Sequence, residues 1–117
     1  MKRMATLALS LTGLALLICP VAQGDPSLST EDSYYTKWLS EIGVNYQNRV
    51  SLQIMIGQAH TTCAMLDQSP TPQTYQAAID RLVGGPGNFT KQEANGTVQA
   101  AVHSYCNQYD NLVYSNR

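Results

Sequence analysis

The chain has little charge and nowhere concentrates it: seven lysines and arginines face eight acids over 117 residues. Without a basic stripe to track a phosphate backbone, nucleic-acid binding is disfavoured. The sequence also lacks a nucleophile elbow, a phosphate-binding glycine loop and a zinc-protease histidine pair, so no familiar catalytic grouping is present. It carries no low-complexity tract and no long internal repeat. Long hydrophobic runs are missing too. The longest, Met4 to Ile18, is interrupted by Ser10, Thr12 and Gly13 and falls short of the ~18 apolar residues expected of a membrane span.

That run nevertheless has a meaning. Lys2 and Arg3 precede it, and Ala22 and Gly24 place small residues behind it. A basic start, a short apolar core and a small-x-small site together describe a cleavable secretory signal over residues 1–24. A retained N-terminal anchor is the rival reading, and the shortness of the core and the polar chain that follows count against it. A lipoprotein signal at Cys19 would need a small residue before the cysteine, where Ile18 stands. The chain is therefore expected outside the cell or in its envelope, with cleavage after Gly24.

Removing the signal changes what is left. Cys19 departs with it, and Cys63 and Cys106 remain as one possible pair in an oxidising compartment. Lys2 and Arg3 also go, leaving five bases against eight acids. The 93 residues that remain make one domain at most, large enough for a core but marginal without a staple.

Residues 25–29 form a polar lead-in, and a helical domain is expected over 30–110. Ser29 or Thr30 caps the first helix, with Glu31 and Asp32 favouring its positive end. Tyr35, Trp38, Leu39 and Ile42 recur at helical spacing until Gly43 stops the element. In the next segment Val50, Leu52, Ile54 and Ile56 alternate as a strand would. Leu52, Met55, Ile56, Ala59, Cys63 and Leu66 fit a helix, and fifteen positions is too long for most strands. Thr71 and Pro72 open a third helix along Tyr75, Ala78, Ile79 and Leu82, and Gly84 to Asn88 break it. Thr90 and Glu93 form a capping box for the last helix, faced by Val98, Ala101, Val102, Tyr105, Cys106 and Tyr109. Gly96 weakens that helix by about 1 kcal/mol against alanine and is expected to delay its start. Residues 111–117 read as a fraying tail, with Leu112 and Val113 available to dock. The expected fold class is all-α, a small bundle of about four helices with one disulfide joining the second and last.

The aromatic first helix ending in Ile42-Gly43, the pattern Ala59-x-x-x-Cys63-x-x-Leu66, and the run Ala100-Ala101-Val102-His103-Ser104-Tyr105-Cys106 carry a family resemblance. The chain resembles the small secreted actinobacterial proteins, abundant in mycobacteria, grouped as the domain-of-unknown-function 732 family. The likeness covers roughly residues 30 to 107. Asn107 departs from it, since members often carry proline soon after the second cysteine. The resemblance implies export and a disulfide-bearing helical domain, and it brings no activity, cofactor or partner.

One constellation invites chemistry. His60-x-x-Cys63 and His103-x-x-Cys106 repeat a spacing that puts both side chains on one helix face. Two such helices would offer two imidazoles and two thiolates, a tetrahedral zinc set. Against it, exported thiols oxidise, and the disulfide is the stronger expectation. A second version keeps the disulfide and uses His60, His103 and a tyrosine for haem or one metal ion, although tyrosines on core stripes usually pack. A redox-active pair would leave Cys63 and Cys106 open to thiol reagents. Glu31, Asp32 and Glu93 are better explained as helix-start charges than as acid–base groups. Asn88-Phe89-Thr90 and Asn95-Gly96-Thr97 match the glycosylation acceptor pattern, which matters only in a eukaryotic secretory pathway. The sequence thus points to a non-enzymatic module acting through an unspecified protein partner, with no cofactor. The alternative is a carrier of haem, a metal ion or a small apolar ligand within the bundle.

Overall fold

The computed structural model describes residues 28–115. The expected export segment, its cleavage point and residues 25–27 of the lead-in lie outside the described residues, as do the last two of the tail. Among these residues five α-helices follow one another: α1 (Thr30–Glu41), α2 (Leu52–Gln68), α3 (Pro72–Val83), α4 (Lys91–Tyr105) and α5 (Asp110–Ser115). A single 3-10 turn, Asn107–Tyr109, joins the last two, and no strand occurs among the described residues.

Each of the first four helices starts where a hydroxyl can satisfy an unpaired N–H. Ser29, Ser51, Thr71 and Thr90 accept hydrogen bonds from the amides of Asp32, Ile54, Thr74 and Glu93. At Thr90 the capping box is complete, because Glu93 also accepts from the Thr90 amide at 2.9 Å. Gly43 ends α1 with φ +83°, a conformation an L side chain resists. There the amides of Gly43 and Val44 bond back to the carbonyls of Ser40 and Leu39, and Val44 buries itself beside Leu39.

α4 is the central element, packed against α1, α2, α3 and α5. Its small residues Ala94, Ala100 and Ala101 are buried with Val98 and Val102, which lets three neighbours approach at once. Toward it α1 directs Tyr35 and Leu39, α2 directs Met55, Ala59 and Leu66, and α3 directs Tyr75, Ala78, Ile79 and Leu82. The α2 ambiguity resolves as a helix with a clear reason. Ile54, which a strand would place beside Leu52 and Ile56, stands exposed on the outer face, and Met55 fills the core.

Three differences from the sequence reading are instructive. Gly96 does not delay α4, which begins at Lys91 under its capping box. A Cβ at Gly96 would stand 2.9 Å from Ile42 Cδ1 and 3.7 Å from Val44 Cγ2, so this glycine lets the chain leaving α1 close on α4. Tyr109 does not continue the face of α4, because the helix ends at Tyr105 and Cys106 takes φ −148° as its cap. Finally, the described part of the tail is not frayed: it forms α5, with Leu112 and Val113 buried. Val44, Tyr46 and Phe89, all in connecting segments, also join the core.

Candidate functional site

The disulfide forms between Cys63 on α2 and Cys106 at the end of α4, with Cα atoms 5.9 Å apart. It clamps two helices whose apolar faces already meet. Both cysteines are buried, which shields the bond from exchange with an outside thiolate.

Beside this bond opens a cleft of about 500 Å³, between the start of α1, the outer turns of α2 and the end of α4. Ser29, Glu31 and Asp32 line it from α1 and its cap, His60, Cys63, Ala64 and Asp67 from α2, and Tyr105 from α4. Helical spacing aligns the α2 contributors, since 60, 63, 64 and 67 fall on one stripe. No lysine or arginine is among the lining residues. Three carboxylates therefore face the opening without a resident cation, and such a cleft favours positively charged groups.

Tyrosines hold this cleft in shape. The Tyr105 hydroxyl donates to Asp32 Oδ1 across 73 residues of sequence. The Tyr109 hydroxyl donates to Asp67 Oδ1 at 2.6 Å, and the buried Tyr35 hydroxyl to the Met55 carbonyl at 3.1 Å. Burial, reinforced by the Asp32 carboxylate that accepts its hydrogen bond, pushes the Tyr105 phenol well above its ordinary range. Tyr35 is pushed up by burial, with the Tyr46 phenol adding to the effect, and Tyr109 is raised by its bond to Asp67. All three stay protonated donors, linking α4 to α1, the 3-10 turn to α2, and α1 to α2.

The two histidines are used differently. His60 is exposed at the cleft, its ring 4.6 Å from that of Tyr105, which in turn meets Tyr35 edge-on at 5.4 Å. His103 stacks on Trp38 of α1 at 4.8 Å and lies against Asp110 of α5. The zinc set of two imidazoles and two thiolates is therefore not assembled, because both sulfurs are spent in the disulfide. Among the described residues no group of three or more histidines, cysteines and acids is arranged to hold a metal ion. The bundle centre is filled by Tyr35, Tyr75, Leu39, Met55 and Leu66.

Of the remaining candidates, Glu31 and Asp32 occupy the first turn of α1 as helix-start charges do. Glu93 keeps its capping role and gains a partner that the sequence did not announce. Arg49 grips it through two nitrogens at 2.8 and 2.9 Å while resting over the Phe89 ring. The Arg49 bond, helped by the Thr90 amide, draws the Glu93 carboxyl down to about 2. The acceptor patterns differ too: Asn88 is exposed in a loop, whereas Thr97 is buried with its hydroxyl donating to the Glu93 carbonyl. Asp67 and Tyr109 were not singled out as a pair by sequence. Their helical positions hinted at proximity only once the Cys63–Cys106 link had set α2 against the end of α4.

Fold and site together define a small, disulfide-clamped helical domain that presents an open, carboxylate-lined cleft. Residues 30–108 match the family model described as a protein of unknown function (DUF732), which spans more than half of the chain, and the chain belongs to that family. No curated protein and no solved structure matches it. No helix among the described residues is long and apolar enough to cross a membrane.

Proposed function

We propose that this chain is an exported, non-enzymatic contact domain, working at the cell envelope or beyond it, whose cleft receives a basic side chain of a protein partner. One observation carries the reading. The cleft offers the carboxylates of Glu31, Asp32 and Asp67 around an opening of about 500 Å³ with no lysine or arginine among its lining residues. A lysine or arginine would bring the missing charge, and Tyr105 and His60 would supply flat surfaces for its aliphatic stem or guanidinium. The signal-like first two dozen residues and the buried disulfide support export, because such bonds persist in oxidising compartments.

Binding is tested by calorimetric titration of the exported form with oligolysine and oligoglutamate hexapeptides at two salt concentrations. The reading expects oligolysine alone to bind, more weakly at high salt and in a Glu31→Gln, Asp67→Asn variant. Absence of oligolysine binding, or equal affinity in the variant, overturns it. Intact mass of the secreted protein, with and without reductant and alkylation, tests export. It should show cleavage after Gly24 and two cysteines protected until reduced.

A further inference from the structure

The cleft leaves one histidine unused. His103 sits in the last turn of α4, where unpaired carbonyls favour a cation, and its side chain is only 12% exposed. Its Nδ1 lies 2.7 Å from Asp110 Oδ1 at the start of α5. No well-aligned hydrogen bond reaches that buried oxygen, so the contact depends on opposite charge more than on direction. The ring faces in contact with His103 are Trp38 from α1, at 4.8 Å and 19° between planes, and Tyr114 from α5 at 6.3 Å. Asp110 is the one carboxylate among these contacts, and none of them is basic.

α5 needs such a tie. Six residues are too few for a helix to persist alone, and it buries only Leu112 and Val113. Histidine is the side chain that ordinarily changes charge between pH 5 and 8. We infer that His103 and Asp110 form a pH-sensitive clasp, in which protonated His103 fastens α5 onto α4 and α1 and neutral His103 lets it loosen. The sign follows from the pair. A proton on the imidazole adds the attraction to the Asp110 carboxylate, and its loss as pH rises weakens it.

Trp38 is the only tryptophan, so its fluorescence reports the imidazole stacked on it. The expected record for the purified chain is a sigmoidal fluorescence change between pH 5 and 8 as imidazolium quenches the indole. His60→Gln should retain this change and His103→Gln should lose it. Amide protection across 110–115, corrected for intrinsic exchange, should be about three- to fivefold higher at pH 5.5 than at pH 8, the yield of a partly buried ion pair. Asp110→Asn should abolish that dependence while keeping the shape of the side chain. Equal protection at both pH values in the native chain, or a pH dependence that survives in Asp110→Asn, overturns the clasp. So does a fluorescence transition that survives in His103→Gln.

Discussion

Removing the Cys63–Cys106 link is expected to be the most damaging two-residue change in the domain. The bond closes a loop of 43 residues, and the chain-entropy relation gives about 13 cal/mol/K for that length, or about 4 kcal/mol at 25 °C. Replacing both by alanine also deletes two buried sulfur atoms, which adds on the order of 1 kcal/mol for the space left behind. The sum approaches the whole stability of many domains of this size, about 5–15 kcal/mol. For comparison, fully burying one leucine contributes about 1.5–3 kcal/mol, so the bond matches roughly two core side chains. Far-UV circular dichroism melts of the oxidised chain and the Cys63→Ala, Cys106→Ala variant should differ by roughly 15–30 °C. Urea titrations should also show a steeper slope for the variant, because an unlinked denatured chain exposes more surface. A midpoint shift below about 5 °C with an unchanged slope would refute the reasoning, and would mean that α2 and α4 hold together by packing alone.

Three further outcomes follow from the packing. Gly96→Leu should destabilise the fold by about 1–3 kcal/mol, since its side chain enters space held by Ile42 and Val44, and Ile42→Ala should recover part of the loss in thermal melts. Tyr35→Phe should cost about 1 kcal/mol in urea titration, because the hydroxyl lost is buried and bonded to the Met55 carbonyl. Glu93, with its carboxyl drawn down to about 2, stabilises the fold fully above its ordinary value of 4.5 and loses that contribution as pH falls toward 2. Urea midpoints across that window should fall less steeply in Arg49→Met, and an unchanged slope would show that the Arg49 contact contributes nothing.

Local chemistry made much of the helical framework legible. The capping hydroxyls at Ser29, Thr71 and Thr90 and the stop at Gly43 act within a few residues, and the apolar stripes of α1 to α4 need only their own periodicity. The α2 segment shows the limit of that signal. Both periods were present, and only length favoured the helix that places Met55 inside and Ile54 outside. Propensity assigns Gly96 only a cost, whereas its use is the close approach of Ile42, a contact from another element.

The sequence by itself determined four of the helices, the starts of α1, α3 and α4, and the cysteine pair that survives if the signal is removed. Tertiary structure alone decided that Tyr105 reaches Asp32, Tyr109 reaches Asp67 and Arg49 grips Glu93, over separations of 73, 42 and 44 residues. It also decided that the two similar His-x-x-Cys motifs diverge, His60 opening onto an acidic cleft and His103 closing on Trp38 and Asp110. The physical reason is range. Caps and periodicity are satisfied by neighbours along the chain, whereas a hydrogen bond or stacked ring depends on which helix faces which. That arrangement is set by the packing of α1, α2 and α3 on the small-residue face of α4 and by one covalent bond.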